Sequence, residues 1–485
     1  MANKKEVKRI IDWSEKRYSR CWDALIIIKE FKNNGFKGND VGELLNFQII
    51  LGETLFKIQE YYEKTKKEWN ILKKKRTKSQ HDINRLKEIG KYLNILIDLI
   101  KIGKSLGDAF VWFFYQKEQE ILVHHLQQQD NFHPTIRLGG FGELEFLRRA
   151  VKLDNHTITL YHGITNILRI GDVSYFNLKE FKIVGYGELK TQKANDDNCI
   201  NVKLYTFGDK ELMPFAKWDK SNKEDDSKKE KAEEEYFDQE RLDRQIERIV
   251  ETLKLSDEIK SNKLGNKVVG SIKYHDEIAK SLAELPLNHF AHKKVSDGLI
   301  ITAMKSNRKK LSSIFLKGIA DSQEVVVQND EKFKSLLDEI QYENFIENDR
   351  MITPITPADE TNGEWVIGSK PLFWEQIDNE VLKGIYFSKI VVLTTYNPIY
   401  LMMKIKDLGF VFTLDKKKKL KVTLDLGEYK LRLENPFYFI NLAKKYLVSE
   451  EAIVDIIRQT VEGVKSKEIK GNTMIKMIIN QFALL

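Results

Sequence analysis

The sequence predicts a multidomain α/β protein with a helical N-terminal domain, an α/β core and a mixed α+β C-terminal domain. Three observations predict it. The first 133 residues hold no proline, and their apolar residues recur at helical spacing. From Pro134 the texture changes to a Gly-rich lead-in, one helix and then alternating apolar runs of strand length. At 485 residues the chain is too long for one compact core.

The helical domain spans 1–133. Ile10, Ile11, Trp13, Tyr18, Trp22, Leu25 and Ile28 suit one long amphipathic helix that closes near Asn33-Asn34-Gly35. Asp40 stands as the cap of a second, which carries Leu44, Leu45, Phe47, Leu51, Leu55 and Ile58. The basic run Lys64 to Lys78 reads as a solvated helix face or turn. A third helix holds Ile83, Leu86, Ile89, Leu93 and Leu96, and the stretch Gly103 to Gly107 is expected to end it before a fourth opens at Asp108. This domain is expected to support or oligomerise the protein, or to meet DNA or a protein partner through Lys73 to Arg76.

The central domain spans 134–305 and includes a charged, low-complexity insert over 219–235. Its first helix contains Glu143 three and four residues before Phe146 and Leu147, on their face, whereas Glu145 aligns with Arg148 and Arg149 and reads as solvated. The stretch 156–163 alternates like a strand. Ile167 to Lys193 then supplies two strand runs joined by a short polar turn at Asn177 to Glu180. Asp172 follows Gly171 in the first run, and the second ends in Glu188-Leu189-Lys190. Side chains alternate along a strand, so Glu188 and Lys190 share a face, and pairing the two strands sets Asp172 opposite Glu188. Carboxylates held that close need a positive partner, and a divalent metal with a lysine beside it is one solution.

A helix with an acid, a strand with Gly-Asp and a strand ending Glu-x-Lys together resemble the core of the PD-(D/E)XK nuclease superfamily, the restriction-endonuclease-like fold. The resemblance covers about 136–305, and Gly171 stands where Pro is common in that family. It implies a metal-dependent endonuclease that cleaves phosphodiester bonds, with DNA as the expected substrate and restriction or anti-phage defence as the setting. By the same resemblance Asp172, Glu188 and Glu143 bind Mg²⁺ or Mn²⁺, and Lys190 positions the attacking water. It also implies a helix after the third strand, expected over 237–255, where Arg241, Arg244, Gln245 and Arg248 reach phosphates. The fourth core strand is expected at Gly298 to Met304. The alternative is a non-catalytic binding or scaffold protein with an inactive nuclease-like core.

The C-terminal domain, 306–485, reads as strands at SSIFLKGIA, EWVIGSK, KIVVLTTYN and 408–434 and as helices over 333–346, 436–448 and 450–464, with no catalytic constellation. GEWVIGSK approaches a phosphate loop but carries Ser369-Lys370 in reversed order. His289 with His292, and His124 with His125, lack further well-spaced ligands. Lys and Arg number 80 against 72 Asp and Glu, a net of +8 that permits nucleic-acid binding without requiring it. Two cysteines far apart argue against a disulfide scaffold and fit a reducing cytoplasm. The N-terminus has no secretory h-region, and no apolar run approaches the roughly 20 residues of a membrane span.

Overall fold

The structure is a computed structural model. It describes residues 4–34, 40–116, 118, 121–122, 124–125, 138–150, 157–193, 200–208, 244, 247–249, 274–282, 285–287, 289–305, 327–342, 352–355, 371–375, 377–387, 389–414, 420–427, 429–433, 436–465 and 473–477. The chain divides into two compact units, Met1–Lys263 and Leu264–Leu485. The expected helical domain and the first three strands of the expected nuclease core therefore share the first unit, while the end of the expected 134–305 domain falls in the second.

Three long helices open unit 1: α1 (Lys4–Asn34), α2 (Asp40–Lys74) and α3 (Gln80–Tyr115). Tyr18, Trp22 and Leu25 of α1, Leu51 and Leu55 of α2, and Leu96 and Leu99 of α3 are all buried, as the helical spacing requires. A capping box between Ser79 and Asp82 starts α3. This helix runs through Gly103 and Gly107, and the expected break there is corrected: both glycines serve close packing. A Cβ on Gly103 would lie 2.6 Å from Tyr18 Oη, and one on Gly107 would lie 1.9 Å from the Ile164 carbonyl oxygen. The last two turns of α3 are buried on every side, so they form the floor under the sheet.

Helix α4 (Leu138–Ala150) follows, then an antiparallel meander of β1 (Thr157–Tyr161), β2 (Val173–Asn177), β3 (Lys182–Lys193) and β4 (Ile200–Gly208) in sheet order 1-2-3-4. The strand run that begins at Ile167 in sequence pairs only from Val173, because Gly171 turns the chain at φ 70°. The Asn177 carboxamide closes the β2–β3 turn by accepting from Lys179 N at 2.9 Å and Glu180 N at 3.0 Å. A bulge between Tyr175 and Phe176 shifts the register; beyond it Val173 faces Gly187. Strand β4 is the fourth strand of this sheet. The strand expected for that place at Gly298 to Met304 lies instead in unit 2, where its apolar run is buried between two other strands.

In unit 2 that strand, β6 (Leu299–Lys305), pairs with β5 (Phe290–Lys294) and β8 (Ile390–Tyr396), and β7 (Ile352–Ile355) completes an antiparallel sheet of order 5-6-8-7. Ile300, Val327, Phe333, Ile340, Ile352 and Leu393 form a core cluster there. A second sheet has the order 12-11-10-9, from β9 (Val411–Leu414), β10 (Leu420–Asp425), β11 (Tyr429–Leu433) and β12 (Thr473–Met477). The helices expected over residues 333–346, 436–448 and 450–464 are found at Glu331–Glu339, Pro436–Tyr446 and Glu450–Lys465. The insert over 219–235, the stretch GEWVIGSK and the expected strand SSIFLKGIA lie outside the described residues.

Candidate active site

The site begins with the turn at Gly171. Glycine adopts φ 70° there without cost, and a Cβ would come within 3.1 Å of the Gly187 carbonyl oxygen. The turn delivers Asp172 against β3. Asp172 N donates to Gly187 O at 2.9 Å, and Asp172 Oδ2 accepts from Leu189 N at 2.6 Å. Since Val173 faces Gly187, the next position of the antiparallel register sets Asp172 beside Glu188.

Glu188 and Lys190 lie on one face of β3, as alternation requires. Lys190 Nζ donates to Glu188 Oε1 at 2.7 Å. Glu188 is only 2% exposed, and its other oxygen, Oε2, is buried without a hydrogen-bond partner. An orphaned, buried carboxylate oxygen is costly and marks a place where a ligand would be gained.

Helix α4 packs on β3 and brings Glu143 to the same pocket. Glu143 is half-buried, and Tyr161 Oη donates to its Oε2 at 2.7 Å. Glu145 faces outward and pairs with Arg148 at 3.4 Å and Arg149 at 2.9 Å. Of the two acids on α4, Glu143 is the one that acts on Asp172, and Glu145 is taken up by surface arginines.

The electrostatics reflect crowding. Burial pushes the Asp172 carboxyl well above its usual range, and Glu188 and Glu143 push it further; the Leu189 amide and Lys190 oppose them. Burial also raises Glu143, to about 7; Glu188 adds to this, while Tyr161, Lys104 and Lys190 pull the other way. Three carboxyl groups therefore feel one another here, with Lys190 paired to Glu188 and Lys104 acting on Glu143 from α3.

Four residues from elsewhere hold this pocket, and sequence reasoning did not find them. Lys104 of α3 is fully buried; its Nζ donates to Gly163 O at 2.7 Å and Thr165 O at 3.0 Å. Asp108, one turn on, accepts from Asn166 N at 2.7 Å and from the Thr165 hydroxyl. Together they pin the turn between β1 and β2. Gln48 of α2 donates to Thr159 O at 2.9 Å and accepts from Tyr161 N at 2.8 Å, so its amide completes the free edge of β1. His162 lies just behind Asp172: its backbone N donates to Asp172 O at 2.9 Å, and burial lowers its imidazole to about 3, so it stays neutral. The available signal was the pair Lys104 and Asp108, two charges inside an otherwise apolar stretch.

Of the expected phosphate-binding helix, residues 244 and 247–249 are described, and they are helical. Arg244 is exposed, Arg248 is half-buried, and Ile249 is buried near Gly171. Arg241 and Gln245 lie outside the described residues. Among the described residues no set of three or more His, Cys, Asp and Glu side chains is arranged to hold a metal ion, and no helix is long and apolar enough to cross a membrane.

Compared with models of protein families, with curated proteins and with solved structures, the chain matches none of them.

Proposed function

We propose that unit 1 is a divalent-metal-dependent nuclease that hydrolyses phosphodiester bonds in nucleic acid, DNA in the first place. The observation that carries this reading is the buried, unpartnered Oε2 of Glu188 in a pocket where Glu143 and Glu188 both push Asp172 towards neutrality. Such a pocket holds less positive charge than its three carboxyl groups call for. Its donors are all hard oxygens, which fit Mg²⁺ or Mn²⁺ in composition. Mg²⁺ typically takes one or two protein carboxylates and fills its other positions with water and phosphate.

Asp172 and Glu188 would hold the metal, with Glu143 beside them; when bound, the ion would supply Lewis acidity and charge neutralisation at the scissile phosphate. Leu189 N fixes the Asp172 carboxylate through Oδ2. Lys190, once its partner Glu188 is shared, would orient the attacking water and stabilise negative charge on the phosphoryl oxygens. Water attacks phosphorus and gives up a proton to solvent, the P–O bond to the leaving oxygen breaks, and that oxygen takes up a proton from solvent. Positioning and electrostatics supply most of the acceleration in such a step. Restriction or anti-phage defence is the setting this reading suggests.

One observation favours a second reading, a binding or scaffold protein with an inactive nuclease-like core. Lys190 already closes on Glu188, and Leu189 N already takes an oxygen of Asp172, so much of the site is satisfied internally. The test is cleavage of plasmid, linear and single-stranded DNA and of RNA with Mg²⁺ or Mn²⁺, with Asp172→Ala and Lys190→Ala beside the wild type. Metal-dependent cleavage lost in both variants supports the nuclease. Cleavage that survives both removes the site assignment, and binding of nucleic acid without cleavage supports the second reading.

A further inference from the structure

We propose that the far end of the α2–α3 hairpin is an arm that grips duplex DNA; the choice of nucleic acid as its partner rests on the reading of unit 1 as a nuclease. Residues 64–91 hold eleven Lys and Arg against three Asp and Glu, a net of +8. That equals the net charge of the whole chain, so the remainder is neutral in sum. The basic character of this protein therefore resides in one structural element.

The three acids of the segment are already engaged inside it. Glu68 pairs with Arg85 at 2.8 Å, Glu88 pairs with the same Arg85 at 2.7 Å, and Asp82 pairs with Lys75 at 2.8 Å while it closes the Ser79 capping box. Lys66, Lys67, Lys73, Lys74 and Arg76 are exposed. Two of them lie over aromatic rings, Lys73 Nζ at 4.4 Å from the Trp69 centroid and Lys66 Nζ at 5.3 Å from that of Tyr62. Like charges concentrated on an exposed tip repel one another and do nothing for the core, which makes a polyanion the fitting partner.

The shape selects among polyanions. Lys66, Lys67, Lys73 and Lys74 stand on α2, and Arg76 in the turn that follows it, so they form one row that runs out to the tip. Such a row matches the regularly spaced phosphates along one edge of a duplex, which it can follow without entering a groove. A membrane-binding helix needs a broad apolar face. Here the exposed large apolar side chains of the tip are Ile71 and Ile83. The arm is also rigidly tied to the proposed site, because Lys104, which holds the Gly163–Thr165 turn, stands on α3 itself. From Gln80 to Lys104 a helix rises roughly 36 Å, about one turn of duplex. Substitutions at the tip therefore leave the pocket untouched.

The test is DNA binding in EDTA by the full chain, with a labelled duplex of about three helical turns. Lys73→Ala/Lys74→Ala/Arg76→Ala is compared with wild type and with Lys332→Ala/Lys334→Ala/Lys406→Ala, an exposed triple of equal charge in unit 2. Lys75 is left in place because it holds Asp82 and the cap. The arm triple should weaken binding by about tenfold or more and reduce the slope of log K against log salt by about 2–3, while the control behaves as wild type. Lys66→Ala/Lys67→Ala, further down α2, should give a smaller loss in the same direction. Equal affinity and slope for the arm triple and wild type would overturn the proposal. So would binding of single strands, or of vesicles of phosphatidylserine and phosphatidylcholine in equal parts, as tight as binding of duplex. Binding in EDTA is independent of catalysis, so a wild type that binds through the arm but never cleaves loses the nuclease reading alone. A wild type that cleaves with a KM unchanged in the arm triple loses the arm alone.

Discussion

Tyr161 Oη donates to Glu143 Oε2 at 2.7 Å, so the edge strand of the sheet sets the acid carried by α4. The bond matters because Glu143, raised to about 7 by burial and by Glu188, ionises near neutrality only with such help. Tyr161→Phe should move Glu143 higher still and shift the acid limb of the cleavage pH profile upward. Its cost in stability should be about 1–3 kcal/mol, the range for a buried acceptor that loses its donor. Gly163→Ala offers an independent check, since a Cβ there would lie 2.2 Å from the Tyr161 ring and must push it aside. A pH profile that neither substitution moves would remove Glu143 from the reaction.

Metal-free stability should fall as pH rises from the ordinary carboxylate range through about 7. Asp172 and Glu143 both have folded pKa values above their usual ones, so over that window the native state binds more protons than the unfolded state and loses ground with each unit of pH. Lys104 works in the opposite sense higher up: burial lowers it to about 8, and stability from that group is recovered as pH rises above that value. A cation that replaces those protons should stabilise more at pH near 7.5 than near 5.5, by the linkage between binding and folding. Thermal melts with and without Mg²⁺ or Mn²⁺ at the two pH values measure this. A metal response of equal size at both would contradict the shared carboxylate pocket.

Strand alternation made Glu188 and Lys190 legible as a pair, and helix periodicity made Glu143 legible against Glu145. Both are local rules, with partners within a few residues. What sets the pocket lies much further along the chain: Gln48 reaches Thr159 across 111 residues, and Lys104 reaches Gly163 across 59. No local period carries such pairings. The same limit explains Gly298 to Met304, whose apolar run announces a buried strand but does not name its neighbours. Gly103 and Gly107 misled for another reason. A glycine that breaks a helix and one that lets a neighbour approach are identical until the neighbour is known.

Asp172→Asn should stabilise the metal-free protein near pH 7.5 while it abolishes cleavage and the metal response. The substituted carboxamide oxygen still accepts from Leu189 N, and the repulsion from Glu188 and Glu143 is relieved. Asn is neutral without taking up a proton, so it escapes the cost of burying Asp172 in either of its forms at this pH, commonly about 1 kcal/mol or more. In a unit of this size that corresponds to roughly 2–4 °C in Tm. A lower Tm for the variant would mean that Asp172 is there for the fold.

Gln48→Ala tests whether the helices of unit 1 are a structural part of the sheet or a separate module. The Gln48 amide satisfies the carbonyl of Thr159 and the N–H of Tyr161 on the edge of β1, both buried, with no strand beyond it among the described residues. Loss of that side chain should cost about 2 kcal/mol or more, since two backbone groups lose their partners. Gln48→Glu should be nearly as harmful, because a carboxylate accepts from Tyr161 N but has nothing to donate to Thr159 O. Urea unfolding should show a lower midpoint with an unchanged slope, the signature of lost stability without a change in the surface exposed. Since Tyr161 follows directly on that edge, cleavage by the refolded variant should carry the same upward shift of its acid limb as Tyr161→Phe. A variant with lowered stability and an unmoved pH profile would confine Gln48 to the fold and separate the edge strand from the setting of Glu143.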